Sequence, residues 1–134
     1  MTQSSGFLFV YGTLMKQIDT PMSRLLSANS TYIGPGTTQG KLYRISWFPG
    51  LVRSDDPDDV VHGELYKLQR VSDALLVKMD EYEDIGPQFP EPHEYKREVC
   101  DVLHGGTVFR AMSYIYQWSV ADAQHLPSGV FSNS

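Results

Sequence analysis

Residues 95–118 read YKREVCDVLHGGTVFRAMSYIYQW, and this stretch decides the fold class of the 134-residue chain. Two runs rich in β-branched and aromatic residues, Tyr95 to Leu103 and Thr107 to Trp118, flank the sequence His104-Gly105-Gly106. Such runs favour strands, and a short connection containing glycine is typical of a β-hairpin. The stretch therefore predicts two long neighbouring strands.

Further strands are predicted before this hairpin. The apolar run Phe7 to Tyr11 stops at Gly12, which indicates a strand buried on both faces. Residues 31–68 read as strands separated by turn signals, among them Gly34-Pro35-Gly36 and Phe48-Pro49-Gly50. Clustered strands with few helices predict an α+β domain, and many short strands with glycine turns favour a small, partly closed β-barrel.

Two segments have helical patterns. The first is predicted to start at Asp19-Thr20-Pro21, where a capping side chain precedes proline, and to be short. The second, Val71 to Glu83, has Ser72 as a plausible N-cap and Asp73 in its first turn. The sequence therefore predicts two helices among many strands.

A short motif occurs twice, as Gly40-Lys41-Leu42-Tyr43 and Gly63-Glu64-Leu65-Tyr66. The shared pattern predicts two strands that each start at a close approach of two backbones. The rest of the two segments differs, so a repeat architecture is not supported.

Length and charge exclude several classes of protein. The length fits one domain over residues 1–134, with a core at about 7–118 and a polar tail at 119–134 that is expected to be partly loose. The net charge of −5, without a run of Lys or Arg, argues against nucleic acid and membrane partners. The polar start of the chain has no charged region typical of a signal peptide, so cytoplasm is the expected location. The sequence leaves the oligomeric state open.

No metal or other cofactor is expected. His62, His93, His104 and His125 have no metal-ligand spacing, and Cys100 is expected to be a buried packing residue. The acidic segment Ser54 to Asp59 lacks the glycine and distal glutamate of a calcium loop and is read as a solvated turn.

Glu83 is the first candidate for chemistry. At 3.6 residues per turn it falls on the apolar stripe of Leu75, Leu76, Met79 and Tyr82, whereas Glu81 falls on the opposite side. Desolvation raises the pKa of a carboxyl group towards the range that a general acid/base needs. The alternative is that Glu83 lies at a frayed helix end and turns towards solvent.

The second candidate is the segment Tyr11-Gly12-Thr13-Leu14. A strand that ends in glycine before a hydroxyl residue can direct several backbone N–H groups at one anion. An ordinary tight turn explains the same residues. Two further pairs, Tyr95 with Arg97 and Tyr114 with Tyr116, each share a strand face, where they either pack or line a ligand pocket.

These residues together resemble the γ-glutamylcyclotransferase-like family, which includes the AIG2-like proteins and the γ-glutamylamine cyclotransferases. The matching motifs, in chain order, are Tyr11-Gly12-Thr13-Leu14, Gly40-Lys41-Leu42-Tyr43, Phe48-Pro49-Gly50-Leu51, Val61-His62-Gly63-Glu64-Leu65-Tyr66, Met79-Asp80-Glu81-Tyr82-Glu83, Tyr95-Lys96-Arg97 and Ala111 to Tyr116. The resemblance covers roughly residues 7–118.

The resemblance implies a small β-barrel with flanking helices and an enzyme that needs no cofactor. The expected reaction converts a γ-glutamyl amide or amine into 5-oxoproline and a free amine. The resemblance implies that Glu83 is the catalytic acid/base, and we expect Tyr11, Gly12, Thr13, Leu14, Tyr95 and Tyr116 to bind the substrate.

Two other functions remain open at this point. One is a non-catalytic module that binds a small ligand on the same barrel, and the other is an amide hydrolase in which Glu83 activates water. The segment from Asp84 to His93, rich in proline, follows Glu83 and carries Phe89. It predicts either a wall that favours apolar leaving amines or a surface loop without substrate contact.

Overall fold

The computed structural model describes residues 6–11, 21–46, 48–70, 72–82 and 85–131. Its elements are, in chain order, β1 (Phe7–Val10), α1 (Pro21–Asn29), β2 (Ser30–Gln39), β3 (Lys41–Arg44), β4 (Pro49–Val52), β5 (Val60–Leu68), α2 (Asp73–Tyr82), β6 (Tyr95–His104), β7 (Thr107–Tyr116) and β8 (Gln124–His125). Strands dominate the described residues, which contain two helices, so the predicted α+β class is confirmed.

Five of these strands form a closed barrel. They are ordered β1-β5-β2-β6-β7, and β1 pairs with β7 in parallel at Leu8 and Met112 to complete the circle. The strands β4, β3 and β8 extend the sheet outward from β7, beginning with a parallel pairing of Leu51 with Ile115. The barrel is therefore mixed and flanked by few helices, as predicted, and its closure removes the exposed edges of an open sheet.

The hairpin predicted from residues 95–118 is present. Its register runs from Tyr95 opposite Tyr116 to His104 opposite Thr107, so β7 ends two residues before Trp118. The two turn residues, Gly105 and Gly106, have φ angles of 57° and 81°. A two-residue hairpin turn of this kind needs positive φ at both positions, which glycine adopts at least cost.

The strand β1 is buried on both faces. Leu8 and Val10 join the cluster that includes Leu76 and Met79 of α2, whereas Phe9 joins a second cluster on the other face. A five-stranded barrel has no room for a helix inside, so the face covered by the helices is the outer one. The expectation for residues 7–11 is confirmed for Phe7–Val10.

The predicted turn at Gly34-Pro35-Gly36 is wrong. These residues lie within β2, which continues past a bulge between Tyr32 and Gly34. Glycine is needed there for space, because a Cβ on Gly36 would approach Val102 Cγ1 to 2.7 Å. The turn near residue 48 also comes earlier than predicted: the backbone N–H of Ile45 bonds the Phe48 carbonyl, and β4 begins at Pro49.

The two copies of the glycine, charged residue, Leu, Tyr motif differ in position. Gly40 lies directly before β3, but Gly63 lies in the middle of β5, so the prediction that it starts a strand is wrong. Both glycines do mark close approaches. A Cβ on Gly63 would overlap the carbonyl oxygen of Val10, and one on Gly40 would come within 2.9 Å of the Val52 carbonyl oxygen.

The described part of the polar tail, residues 119–131, is attached to the sheet rather than loose. The Leu126 amide donates to the Leu42 carbonyl at 2.7 Å, and the His62 amide donates to the Gly129 carbonyl at 2.8 Å. The guanidinium of Arg44 lies 4.8 Å from the ring centre of Phe131. Within the described ranges, no helix is long and apolar enough to cross a membrane.

Candidate functional site

Helix α2 carries the described part of the apolar stripe predicted from the sequence, whereas the side chain of Tyr82 lies outside the described residues. The start of α2 is capped as expected, because the Ser72 hydroxyl accepts a hydrogen bond from the Leu75 amide at 3.2 Å. Leu75, Leu76 and Met79 are buried, whereas Glu81 is exposed. Glu83 itself lies outside the described residues, so its assignment stays a prediction.

Asp80 holds the last turn of α2 against the hairpin. Its carboxylate accepts hydrogen bonds from Arg97 Nε at 3.0 Å and from Arg97 Nη2 at 3.2 Å, which is a bidentate pair. The Tyr114 hydroxyl donates to the same carboxylate at 2.8 Å. A third nitrogen of Arg97, Nη1, lies 3.6 Å from the sulfur of Met112. The helix and both hairpin strands therefore meet at one half-buried ion pair.

Tyr11 lies where the neighbours of β7 change. β1 pairs with β7 at Met112, whereas β4 takes its place at Ile115. Between these points the Tyr11 hydroxyl donates to the Tyr114 carbonyl and accepts a hydrogen bond from the Leu51 amide at 3.2 Å. The side chain thus connects backbone groups of β7 and β4. Gly12, Thr13 and Leu14, the rest of the predicted anion loop, lie outside the described residues.

Tyr95 and Tyr116 form a buried aromatic pair beside β4. Their ring centres are 5.3 Å apart in an edge-to-face arrangement, and the Tyr95 hydroxyl donates to the Pro49 carbonyl at 2.6 Å. The ring of Tyr116 covers Gly50, where a Cβ would approach Tyr116 Cγ to 2.8 Å. Burial raises the pKa of Tyr116, and the nearby Glu94 carboxylate raises it further.

Tyr114 contacts residues of both segments that were predicted to carry the site, the end of α2 and the segment after β1. Through its hydroxyl it contacts Asp80 at the end of α2, and through its carbonyl it contacts Tyr11 at the end of β1. The first residue of the predicted anion loop and a residue three positions before the predicted catalytic glutamate therefore share one neighbour. The pairing of Asp80 with Arg97 was not predicted from the sequence.

The described part of the loop after α2 is attached at both ends. The Ile85 amide donates to the Asp80 carbonyl at 3.0 Å, and Trp118 Nε1 donates to the Pro92 carbonyl at 3.0 Å. His93 Nε2 lies 3.1 Å from the Gly86 carbonyl oxygen. Phe89 is partly exposed between these contacts. The role of Phe89 in selecting the leaving amine stays a prediction.

No grouping of three or more His, Cys, Asp or Glu suited to a metal ion occurs among the residues that the structure describes. Cys100 is buried, as expected, in the same cluster as Phe9, and burial raises the pKa of its thiol. The acidic segment forms a turn in which the Asp59 carboxylate accepts from the Ser54 hydroxyl and pairs with Lys41 at 3.0 Å.

Comparison with solved structures shows that the fold is shared. YkqA from Bacillus subtilis has 24% identity and a TM-score of 0.69, over 95% of this chain and 39% of YkqA. An AIG2-like protein from Mus musculus has 22% identity and a TM-score of 0.66, over 90% of this chain and 82% of the mouse protein. The protein ytfP from Escherichia coli has 25% identity and a TM-score of 0.62, over 93% and 95% of the two chains.

The sequence comparisons identify the family. No curated protein sequence matches this chain significantly. The family model described as Gamma-glutamyl cyclotransferase, AIG2-like, matches residues 8–133, which include every motif on which the resemblance was based. The chain therefore belongs to the γ-glutamyl cyclotransferase, AIG2-like family.

Proposed function

We propose that this protein cyclises a small γ-glutamyl amide or amine to 5-oxoproline and releases the free amine, with Glu83 as its acid/base. The observation that carries the proposal is the family match, which extends over residues 8–133 and so includes Tyr11 to Leu14 and Glu83. No metal, nucleotide or covalent intermediate enters the proposed reaction.

The described neighbours of Glu83 support its proposed role. Glu83 directly follows Tyr82, the last residue of α2, in the sequence. Two residues later the Ile85 amide bonds back to the Asp80 carbonyl, and Asp80 contacts Tyr114. Glu83 therefore follows, in the sequence, a helix turn that contacts β7 through Asp80. A carboxyl group in apolar surroundings there would have the raised pKa that proton transfer near neutral pH requires.

The proposed reaction balances without a cofactor. The carboxylate of Glu83 removes a proton from the α-ammonium group, and the freed amine attacks the γ-carbonyl carbon of the same molecule. The new C–N bond closes the five-membered ring, and the original γ C–N bond breaks. Glu83 then returns the proton to the departing amine. Since the attack is intramolecular, orientation of the substrate supplies much of the acceleration.

The proposal assigns the remaining residues to binding. The backbone N–H groups of Gly12, Thr13 and Leu14 would hold the α-carboxylate or the developing oxyanion. Tyr11, Tyr95 and Tyr116 would form the wall beside it. The hydroxyls of Tyr11 and Tyr95 already bond the backbone of β4, which keeps these rings in fixed orientations.

Product identification tests the proposal against both alternatives. The protein would be incubated with a panel of γ-glutamyl amines, and the products would be quantified by mass spectrometry. We expect equal amounts of 5-oxoproline and free amine. Glutamate in place of 5-oxoproline would identify a hydrolase, whereas binding without any product would identify a ligand-binding module, and either result would reject the proposed reaction.

A further inference from the structure

We propose that Asp80, Arg97 and Tyr114 form a positioning cluster that fixes the last turn of α2 on the barrel. By fixing this turn, the cluster orients the carboxylate of Glu83, three residues after Asp80. This inference rests on the proposed function for its catalytic consequence. The anchoring itself rests on contacts among described residues, so it can be tested separately.

The geometry of the cluster favours a fixed attachment over a loose surface contact. The guanidinium of Arg97 contacts both oxygens of Asp80, and the Tyr114 hydroxyl adds a third hydrogen bond to the carboxylate. The Asp80 and Arg97 side chains are 16% and 26% exposed, so water screens this pair less than a surface pair. Bidentate contact to a planar group also restricts the direction of approach.

The cluster contacts α2 directly after the last of its described buried apolar residues, Met79. The first two turns are attached by the Ser72 cap and by buried Leu75, Leu76 and Met79. Asp80 is the next residue, and it belongs to the last turn of the helix. The last carbonyl groups of a helix have no partners inside the helix, so helix ends fray readily.

The Asp80 carbonyl has a partner that adds to this attachment. The Ile85 amide donates to it at 3.0 Å, and the side chain of Ile85 packs on the cluster that contains Leu76 and Met79. Asp80 and Ile85, which come before and after positions 83 and 84 in the sequence, are therefore both attached. A misplacement of about 1 Å at a reacting group can lower the rate about 100-fold, so this double attachment matters for an acid/base at residue 83.

The competing interpretation is that Arg97 binds the substrate itself. Two of its nitrogens are committed to Asp80, and Nη1 is directed at the Met112 sulfur. A residue that holds the helix changes kcat, because it acts on the geometry of the reacting groups. A residue that holds the substrate in both the ground state and the transition state changes KM instead.

The test uses Arg97→Gln and the nearly isosteric Asp80→Asn, with Arg110→Gln as the control. Arg110 pairs with Asp101 at 3.2 Å on the same hairpin, but these side chains are 71% and 64% exposed and contact no helix through this pair. Hydrogen exchange would be measured for the amides of residues 79–82 and Ile85. Turnover would be measured on any γ-glutamyl compound that the wild-type protein cyclises.

Each variant of the cluster should accelerate exchange about 10-fold at residues 79–82 and at Ile85, while the barrel strands stay protected. We expect kcat to fall by about 10- to 100-fold with KM changed less than about threefold. The double variant should be no worse than the more damaging single variant, because both changes break one interaction. Arg110→Gln should match the wild type in every measurement.

Three results would overturn the inference. They are unchanged exchange at the end of α2, a rise in KM at constant kcat, and global loss of protection in both variants. If the wild-type protein forms no product from any γ-glutamyl compound, the proposed function and the catalytic consequence fail together. In that case the exchange data alone decide whether the cluster anchors the helix.

Discussion

The two ends of the β6–β7 hairpin carry similar residues in opposite environments. At the covered end, defined by residues 95–99 and 112–116, Arg97 pairs with Asp80 of α2 and the rings of Tyr95 and Tyr116 are each 7% exposed. At the tip, residues 101–110, Arg110 pairs with Asp101 of the adjacent strand, and Val108 is 61% exposed. The ion pair at the covered end therefore joins the hairpin to a helix, whereas the exposed ion pair at the tip stays within the hairpin.

This difference shows that the strands alone do not determine where a site forms. The pairing pattern of β6 with β7 is regular from one end to the other. What changes is the presence of α2, Tyr11 and β4 around the covered end. An ion pair that is largely removed from water has fixed partners and fixed geometry, and only such a group can orient a neighbouring reacting group.

The largest effect is expected from Glu83→Gln, which tests whether the covered end is catalytic. The substitution should leave the fold intact and lower turnover by about 10²- to 10⁴-fold, because an amide cannot exchange the proton. Glu81→Gln is the matched control, since Glu81 is an exposed glutamate of α2 two residues earlier in the sequence. Wild-type turnover by Glu83→Gln on a confirmed substrate would refute the acid/base role.

Gly50→Ala tests how tightly the covered end is packed. The added Cβ would lie 2.8 Å from Tyr116 Cγ and 2.9 Å from Tyr116 Cβ, so the ring must shift. We expect the free energy of unfolding to fall by about 1–3 kcal/mol, measured by urea denaturation. Gly6→Ala is the control, since nothing lies within 4 Å of its added Cβ. Equal stability of the two variants would contradict the close packing of Tyr116 on Gly50.

Phe89→Ala tests whether the loop attached to the covered end selects the leaving amine. If Phe89 forms an apolar wall, kcat/KM should fall about 10-fold for γ-glutamyl derivatives of large apolar amines and little for small ones. Steady-state kinetics across a series of leaving groups measures this, with Val77→Ala as a control at an exposed position of α2. A uniform change across the series would show that the loop does not select.

The smallest effect is expected at the tip. Arg110→Gln removes one exposed ion pair, and such pairs contribute about 0.2–1 kcal/mol at most. We expect the free energy of unfolding to change by less than about 0.5 kcal/mol in a urea titration. A loss above about 1 kcal/mol would mean that the two ends of the hairpin are more alike than their exposure indicates.

The elements whose signals are local were predicted correctly. The Ser72 cap, the stripe of Leu75, Leu76 and Met79, and the hairpin around Gly105-Gly106 each depend on residues within a few positions of one another. The wrong predictions concern segments whose structure depends on contacts with strands distant in the sequence. Gly34-Pro35-Gly36 has the composition of a turn, yet it lies in a strand because β5 and β6 flank it and need the space.

The sequence by itself determined the α+β class, the order of the elements and the family, because periodicity, turn chemistry and ordered motifs are properties of the chain. Only the tertiary structure decided which polar groups meet. Asp80 bonds residues 17 and 34 positions away, and the Tyr11 hydroxyl bonds a carbonyl 103 positions away. Such pairings follow from barrel closure and helix docking, which bring together groups that no local pattern relates.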